Sequence, residues 1–470
     1  MASSRWPART DGRAHIGDAV ARGAAAVLFD ADAPPVIPTV PVPVHGIAGL
    51  RARAGAVGSA YFGHPSRQMQ VAAFTGTNGK TSCASWWAAG IAADGGRAAT
   101  VGTLGVVRHD QGGDSPAADR AGTLTTPDAI SLQQAIATLH GQGVDHLSLE
   151  ASSIGLEQHR LCGTAIDVAV FTNLSRDHLD YHPDMAAYEA AKARLFAFES
   201  LQAMVVNGDD PAGARLLAAG RRELRRIAYG FSPGPADAGV QRLHIARCRV
   251  QPQGIELSLD GDLGQAQVTL PMVGRFNAVN AVAVCAAWLC LGVPFSQAVR
   301  RLEALPPVPG RMQRVSAEGR PLVVIDYAHT PDALASVLGA LADLVRARQG
   351  RLWCVFGCGG DRDPGKRALM AAAAEAGADC LVLTSDNPRT ESSTAILADM
   401  QKGLARAAFL VDTDRARSIA AAIEAADAAD VVLIAGKGHE TYQEVHGERR
   451  PFSDLAVASA CLGLADGVRH

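Results

Sequence analysis

The segment Thr75-Gly76-Thr77-Asn78-Gly79-Lys80-Thr81 constrains this chain more than any other part of its sequence. It lies between an apolar run, residues 69–74, that predicts a strand and a stretch from about Thr81 that predicts a helix. Glycines there let the backbone approach phosphate oxygens, and the start of the helix adds N–H donors. Lys80 can reach the β- and γ-phosphates, and the Thr81 hydroxyl can bind Mg²⁺. The strict motif has glycine where Phe74 stands, so the segment predicts a variant ATP-binding P-loop; a glycine-rich turn with a chance Lys-Thr pair is the alternative.

The rest of the chain repeats short apolar runs separated by helical stretches. Such runs occupy residues 145–149, 167–172 and 203–206, and again 322–325, 352–356, 380–383 and 431–434. This alternation predicts an α/β fold with parallel sheets covered by helices on both faces. The alternation of apolar and polar residues after residue 240 predicts an antiparallel patch, followed by a helix over 277–292. Near the start we expect a helix and a strand within 14–30, a proline-rich loop over 33–44 and a helix over 45–66.

Charge and composition exclude several classes of protein. The chain of 470 residues has a formal net charge of −3 and no long run of one sign, which argues against nucleic-acid binding. The first 13 residues lack the apolar region of a signal peptide, and no stretch of about 20 apolar residues predicts a membrane-spanning helix. Nine cysteines without metal-site spacing fit a reducing compartment. We therefore expect a cytoplasmic protein that is not inserted in a membrane.

Three candidate catalytic side chains follow the predicted strands near the P-loop. Glu150 ends one strand, His178 follows the next one beside Asp177, and Lys192 lies on an alanine-rich helix beyond them. A strand-end acid can hold Mg²⁺. Each residue also has a structural interpretation, as a helix cap, a structural histidine or a solvated lysine. Their positions after consecutive strands favour a shared site.

The chain resembles the Mur ligases, the ATP-dependent amide-forming enzymes of peptidoglycan synthesis. The resemblance extends from about Asp11 to the C-terminus. It rests on the P-loop and on these runs: Thr-Thr-Pro-Asp (125–128), Glu-Ala-Ser-Ser (150–153), Asn-Leu-Ser-Arg-Asp-His-Leu-Asp-Tyr-His (173–182), Gly-Arg-Phe-Asn (274–277), Gly-Arg-Met (310–312), Asp-Tyr-Ala-His-Thr-Pro-Asp (326–332), Gly-Cys-Gly-Gly-Asp-Arg-Asp (357–363), Asp-Asn-Pro-Arg (386–389) and Gly-Lys-Gly-His-Glu (436–440).

This resemblance implies a three-domain architecture and a set of roles. The domains are a remnant of the UDP-binding domain (1–66), a central P-loop domain (67–308) and a Rossmann-like C-terminal domain (309–470). Lys192 is implied to be N6-carboxylysine and, with Thr81, Glu150 and His178, to hold Mg²⁺. The resemblance implies that ATP contacts Gly76, Thr77, Asn78, Gly79, Lys80, Thr81, Asn277, Arg311 and Asp326. It implies that the UDP-sugar dipeptide contacts Thr125, Thr126, Ser152, Gln158 and Arg160.

The fourth residue of the Asp-Asn-Pro-Arg run indicates the amino acid. In the family, arginine there accompanies meso-diaminopimelate, whose distal carboxylate it can bind in bidentate fashion. The implied site comprises Arg362, Asp386, Asn387, Pro388, Arg389, Gly436 and Glu440. A Pro-Arg surface turn is the alternative.

The implied reaction has two steps. The D-glutamyl carboxylate of UDP-MurNAc-L-Ala-D-Glu takes the γ-phosphoryl group of ATP, with Lys80, Arg311 and Mg²⁺ spreading the charge, and the diaminopimelate amine then displaces phosphate. Alternatives are a lysine-adding or folylpolyglutamate-type ligase, a non-catalytic homologue, and a transport-type P-loop ATPase. Relatives carry roughly 40 more residues and a uridine-binding Ser-Arg motif before the segment that matches Asp11, so the resemblance implies a truncation or a misplaced start. A monomer is expected.

Overall fold

The fold is built around two large sheets whose central strands are parallel. The computed structural model describes residues 12–32, 39–110, 113–116, 124–232, 239–251 and 254–464. Part of the predicted proline-rich loop, residues 33–38, lies outside the described residues. The strands are β1 Val27–Asp30, β2 Val44–Ile47, β3 Gln70–Thr75, β4 Ala98–Gly102, β5 Gly105–Asp110, β6 Gly113–Pro116, β7 His146–Glu150, β8 Val168–Phe171, β9 Ala203–Asn207, β10 Arg225–Gly230, β11 Val240–Gln251, β12 Gly254–Gly261, β13 Ala266–Leu270, β14 Gln313–Val315, β15 Leu322–Asp326, β16 Leu352–Phe356, β17 Cys380–Thr384, β18 Leu410–Asp412, β19 Val431–Ala435, β20 Tyr442–Val445 and β21 Glu448–Pro451.

Helices fill most of the connections between these strands. The α-helices are α1 Ile16–Ala21, α2 Leu50–Tyr61, α3 Lys80–Ala93, α4 Ala129–Gly141, α5 Ser153–Glu157, α6 Met185–Ala193, α7 Pro211–Ala219, α8 Arg275–Cys290, α9 Phe295–Glu303, α10 Pro331–Arg348, α11 Gly365–Gly377, α12 Ser393–Gln401, α13 Arg415–Ala425 and α14 Asp454–Cys461. Short 3₁₀ turns occupy Gly12–His15, Pro65–Gln68 and Arg194–Ala197. In the described part of the chain, none of the helices combines the length and the apolarity that crossing a membrane requires.

The large sheet carries the P-loop. Its eleven strands lie in the order β13-β12-β11-β10-β9-β8-β3-β7-β4-β5-β6. Strands β4, β7, β3, β8, β9, β10 and β11 pair in parallel, whereas β12 and β13 extend one edge antiparallel. One apolar core packs α3 and α8 on one face, and a second core packs α4 and α7 on the other. The predicted parallel sheet and antiparallel patch are confirmed.

The six-stranded sheet has the order β14-β15-β19-β16-β17-β18. All pairs but the first are parallel. Helices α10, α11 and α12 pack on one face, while α13 and α14 pack on the other. Central strands such as β9, β15, β16 and β19 are buried along their whole length, so their sequences are continuous apolar runs that the sequence analysis could find.

The start of the chain differs from the prediction. Residues 45–66 are not one helix, since residues 44–47 form β2, paired in parallel with β1, and the helix α2 begins only at Leu50 after Gly49. Gly49 has φ of 61°, a left-handed conformation that separates the strand from the helix. The partner of β2 lies 17 residues earlier in register, as in the pair Val27 and Val44, so no local pattern marks this strand.

Candidate active site

The P-loop connects β3 to α3 and requires glycine at two positions. Gly76 has φ of 148°, and a Cβ there would lie 1.9 Å from Thr172 Oγ1. Gly79 has φ of 89°, and its Cβ would lie 2.5 Å from Asn280 Oδ1. Lys80 Nζ donates to two carbonyl oxygens of the loop itself, each at 2.9 Å. Burial lowers the pKa of Lys80, and the charge of Arg311 lowers it further. The loop thus places the Lys80 side chain at the N-terminus of α3, a position suited to binding phosphate.

A cavity of about 510 Å³ separates the P-loop from the six-stranded sheet. Its volume is in the range of small-molecule sites. Asp177, Tyr327 and His329, which had no assigned ligand, also line it. The predicted site residues that line this cavity are Thr77, Asn78, Gly79, Lys80, Thr81, Thr125, Glu150, His178, Asn277, Arg311 and Asp326.

Glu150 and Arg311 meet through the hydroxyl of Thr81. Arg311 Nη2 donates to Thr81 Oγ1 at 3.0 Å, and Thr81 Oγ1 donates to Glu150 Oε2 at 2.9 Å. Thr103, which sequence reasoning missed, donates its N–H to Glu150 Oε1 at 2.7 Å and its hydroxyl to Oε2 at 3.1 Å. Its position just after β4 is the same strand-end signal that revealed Glu150. These bonds fix a carboxylate of 2% exposure at the base of the cavity.

Two predicted nucleotide contacts serve local structure as well. Asp326 Oδ2 accepts from Met312 N and Oδ1 from Ala328 N, each at 2.8 Å, so this carboxylate holds the turn that carries Arg311. Burial raises the pKa of Asp326, although the nearby Arg311 charge opposes the shift. Asn277 Nδ2 donates to a backbone carbonyl one turn earlier at 2.8 Å. Both side chains still line the cavity.

Lys192 is buried and not solvated. It is 2% exposed, its Nζ donates to Gly76 O at 2.7 Å, and Nζ lies 4.3 Å from the centre of the Tyr188 ring. Burial and then the charge of Lys80 place the pKa of Lys192 well below its usual value. A neutral amine is the form that reacts with carbon dioxide to give a carbamate. The structure thus excludes the solvated-lysine alternative.

Three of the predicted Mg²⁺ ligands, Thr81, Glu150 and His178, line the same cavity, whereas Lys192 does not, and the four do not form a ready-made metal centre. Within the described ranges, no three His, Cys, Asp or Glu side chains converge in a way that could hold a metal ion. Burial lowers the pKa of His178, which favours the neutral imidazole, a form with a free lone pair. Glu150 contributes carboxylate oxygens. A carbamate on Lys192 would add the anionic oxygens that a hard cation prefers, so the donor set fits Mg²⁺.

Four of the five residues predicted for the UDP-sugar dipeptide, all except Thr125, are linked by hydrogen bonds, and Thr126 Oγ1 donates to Glu150 O at 2.7 Å. Thr126 Oγ1 lies 2.9 Å from Ser152 Oγ, and Arg160 Nη1 donates to Thr126 O at 2.8 Å. Arg160 Nη2 also donates to Gln158 Oε1 at 2.7 Å. Thr125 Oγ1 accepts from the Thr103 hydroxyl at 3.2 Å. Of the five, Thr125 lines the cavity, and the other four form a hydrogen-bonded group that begins at the neighbouring Thr126.

The residues predicted for diaminopimelate gather at the ends of β16, β17 and β19. Asn387 Nδ2 donates to Glu440 Oε2 at 2.8 Å. Gly436 has φ of 113°, and a Cβ there would lie 2.5 Å from Asp386 Oδ2, so these two runs touch. Arg389 follows Pro388, adopts φ of 53° and donates Nη1 to Gly360 O at 2.6 Å.

The second predicted arginine lies beside the first. A Cβ at Gly359 would lie 3.0 Å from Arg389 Nη1 and 3.8 Å from Arg362 Cγ. Both side chains therefore border the same loop after β16. Arg389 is not part of an exposed Pro-Arg turn. Its side chain is 24% exposed and donates a hydrogen bond to Gly360 O in the loop after β16.

Comparison with known proteins identifies the family. The Mur ligase middle domain matches residues 74–288, and the Mur ligase, glutamate ligase domain matches residues 310–438. A protein of Ralstonia nicotianae named UDP-N-acetylmuramoyl-L-alanyl-D-glutamate–2,6-diaminopimelate ligase is 47% identical over 467 residues, which cover 97% of this chain and 89% of that protein. The chain belongs to the Mur ligase family. A relative of the same name from Pseudomonas aeruginosa is 46% identical over 97% of this chain and 90% of its own length.

Solved structures share the Mur ligase architecture. A structure of a UDP-N-acetylmuramoyl-L-alanyl-D-glutamate–2,6-diaminopimelate ligase matches with a TM-score of 0.67 and 37% identity, covering 96% of this chain and 89% of the other. A Mycobacterium tuberculosis folylpolyglutamate synthase, solved with ADP and AMPPCP, matches with a TM-score of 0.65 at 21% identity, covering 88% and 96%. The second likeness concerns the fold alone.

Sequence reasoning missed Lys437 in this Mur ligase. The side chain is fully buried, and its Nζ donates to Asn387 Oδ1 at 3.0 Å and to Glu440 Oε2 at 2.8 Å. Its signal was a lysine between two glycines directly after an apolar strand. Lys437 therefore fixes two residues of the predicted amino-acid site in one orientation.

A second missed feature is the ion pair between Arg415 and Asp454, both 0% exposed. Arg415 also donates Nη1 to Ser385 O at 3.2 Å and Nη2 to Ala435 O at 2.9 Å. Those carbonyls directly precede the Asp-Asn-Pro-Arg and Gly-Lys-Gly-His-Glu runs. One guanidinium thus joins the two strand ends that carry the predicted amino-acid site, and nothing in the sequence spacing indicates this contact.

Proposed function

We propose that this chain is an ATP-dependent ligase that adds meso-2,6-diaminopimelate to UDP-N-acetylmuramoyl-L-alanyl-D-glutamate in cytoplasmic peptidoglycan precursor synthesis. The observation that carries the proposal is the shared cavity, where Lys80 and Arg311 face Glu150, with Thr125 on its wall. Relatives of 46–47% identity bear the name of this activity. We also propose the domain division at residues 66 and 308, because each large sheet lies within one block.

In the first step, the γ-carboxylate of the D-glutamyl residue attacks the γ-phosphorus of ATP, giving an acyl phosphate and ADP. Lys80 and Arg311, which both line the cavity, stabilise charge on the transferred group. Thr81, Glu150, His178 and a carboxylated Lys192 would hold Mg²⁺, and the ion would supply charge neutralisation for the phosphates. Thr125, Thr126, Ser152, Gln158 and Arg160 hold the acceptor dipeptide.

In the second step, the amine of diaminopimelate attacks the acyl carbonyl carbon, phosphate leaves and the amine loses a proton. Arg389 binds the distal carboxylate, with Arg362 beside it. Asp386, Asn387, Gly436 and Glu440 border the same pocket.

A phosphate-release assay tests the proposal. The enzyme is supplied with UDP-MurNAc-L-Ala-D-Glu, ATP and Mg²⁺, together with meso-diaminopimelate, lysine or no amino acid. We expect release with meso-diaminopimelate far above both other reactions, and a product heavier than the acceptor by one diaminopimelate minus water. Equal rates with lysine contradict the role of Arg389. Release without an amino acid favours a simple ATPase, and turnover with a folate acceptor favours the folylpolyglutamate-type alternative.

A further inference from the structure

A buried polar group attaches the short helix α5 to the segment before α6. His182 is 1% exposed, its Nε2 lies 3.0 Å from Ser153 Oγ, and its Nδ1 lies 3.2 Å from Glu157 Oε2. Ser153 and Glu157 are the first and last residues of α5, so one imidazole contacts both ends of this helix. A serine, an imidazole and a carboxylate in this order also occur in hydrolases. Because Ser153 is only 2% exposed, its hydroxyl is closed to a substrate, and the group serves to hold α5 in place.

The helix α5 carries residues that are predicted to bind the acceptor dipeptide. Ser152 directly precedes the helix, and Gln158 and Arg160 follow it. Arg160 N donates to Gly155 O at 2.8 Å, so the segment after the helix is bonded back onto it. A shift of α5 therefore moves these three predicted acceptor contacts together.

The same imidazole packs against the residue that joins the P-loop to Lys192. The ring centres of His182 and Tyr188 are 5.2 Å apart, and Tyr188 is fully buried. Tyr188 Oη lies 3.2 Å from Thr77 Oγ1 in the P-loop, and the centre of its ring lies 4.3 Å from Lys192 Nζ. His182 thus lies between the helix that carries the acceptor residues and a ring that contacts the P-loop.

We propose that His182 is a positioning residue for the phosphoryl transfer, which keeps the acceptor carboxylate at attack distance from the γ-phosphate by coupling α5 to the P-loop. The inference rests on the proposed function and deepens it. Efficient attack requires the reacting atoms to be held about 3–3.5 Å apart. When α5 is free to shift, the carboxylate is less often in place, and water attacks the γ-phosphorus instead. That reaction gives ADP, phosphate and a proton, and no acyl phosphate forms.

The test measures the phosphate released per ligated product at saturating ATP, acceptor and meso-diaminopimelate. His182→Phe keeps an aromatic ring against Tyr188 and removes both polar contacts to α5. Glu157→Gln removes the charge of one partner at a partly exposed position, where the risk to folding is small. His146→Phe is the matched control, because His146 also pairs with a neighbouring carboxylate but lies at the opposite end of β7 from Glu150.

We expect His182→Phe to lower the kcat of ligation roughly tenfold and to raise the phosphate released per product at least about twofold, because a displaced acceptor loses the phosphoryl group to water. Glu157→Gln should raise the same ratio by a smaller amount, and His146→Phe should match wild type.

The ratio separates positioning from stability. A variant that is merely less stable loses phosphate release and product together, so a ratio equal to that of wild type in both His182→Phe and Glu157→Gln overturns the positioning role. If His182→Phe does not fold, the ratio measured for Glu157→Gln decides alone. A wild type that forms no ligated product contradicts the proposed function itself, and the inference falls with it.

Discussion

Arg311 Nη2 donates a hydrogen bond to Thr81 Oγ1 at 3.0 Å, although the two residues are 230 positions apart in the chain. The bond joins the P-loop helix to the segment that leads into the six-stranded sheet. Since Thr81 also donates to Glu150, one hydroxyl connects a guanidinium and a carboxylate that both line the cavity. The predicted ATP site is thus lined both by the P-loop and by the segment that precedes β14.

Arg311→Lys should lower kcat roughly a hundredfold while the fold is kept. Lysine retains the charge but loses the planar donor group, and the guanidinium lies over the Tyr327 ring, 4.6 Å from its centre. Phosphate release and thermal melting are measured together. Arg346→Lys, an exposed position on α10, is the control and should match wild type. An unchanged kcat in Arg311→Lys contradicts this role.

His178→Gln should raise the Mg²⁺ concentration for half-maximal activity roughly ten- to a hundredfold, since an imidazole ligand is replaced by a weaker amide oxygen. Mg²⁺ is titrated at fixed ATP and corrected for the Mg·ATP complex. His140→Gln, at the end of α4, serves as the control. A Mg²⁺ requirement identical to that of wild type excludes His178 from the metal site.

Lys192 should carry a carbamate. Burial favours the neutral, reactive amine of Lys192, so wild type in ¹³C-bicarbonate buffer should show a carbamate resonance. The variant Lys192→Gln should lack that resonance and most of the activity. Lys402→Gln, at an exposed lysine, should keep both. A spectrum of wild type that matches Lys192→Gln, recorded on active enzyme, argues against the modification.

Arg389→Ala should raise the KM of meso-diaminopimelate roughly ten- to a hundredfold, as expected for the loss of hydrogen bonds to a carboxylate. The KM of ATP should change little, because the P-loop lies on the other sheet. Arg450→Ala, exposed on β21, controls for the loss of a nearby positive charge. Selective loss of ATP binding would mean that Arg389 belongs to a different site.

His439 should make the fold acid-sensitive. Burial, reinforced by the charge of Arg311, lowers the pKa of His439 to about 4. The unfolded chain therefore takes up this proton near pH 6.5, whereas the folded chain does so only near pH 4, and stability falls as pH falls through that window. Relative to His439→Gln, wild type should lose roughly 1–3 kcal/mol between pH 7 and pH 4 in urea unfolding. Parallel stability profiles for the two proteins contradict this.

The sequence predicts eight parallel strands of the two sheets because they are buried, although it misses the equally buried strands β4 and β10. Strands covered on both faces are short apolar runs followed by polar residues, as in β16, predicted over 352–356 and observed at Leu352–Phe356. The strand β2 was missed because it is half-exposed and depends on pairing with β1, a contact that no local pattern records. The antiparallel strands β5 and β6, at the far edge of the large sheet, escaped for a similar reason.

At the candidate site, motifs identify residues but not their partners. Glu150, Lys80 and Arg311 were predicted and line one cavity. The structure alone shows that Thr81 connects Arg311 to Glu150 and that Lys437 donates a hydrogen bond to Glu440. These contacts depend on side-chain geometry, which the motifs do not record. The roles of these residues toward ligands stay predictions until the assays above are done.

The ion pair of Arg415 and Asp454 has a consequence for enzyme engineering. Arg415 holds the ends of both β17 and β19 through their backbone carbonyls. The backbone of the predicted amino-acid site is therefore fixed by a residue other than those predicted to contact the amino acid. The hairpin from Tyr442 to Pro451 lies outside that anchor and is closed by its own strand pairing. Because Arg389 N donates to Glu444 O at 3.0 Å, substitutions in this hairpin would alter the surroundings of Arg389 while the Arg415–Asp454 pair keeps the two strand ends in place.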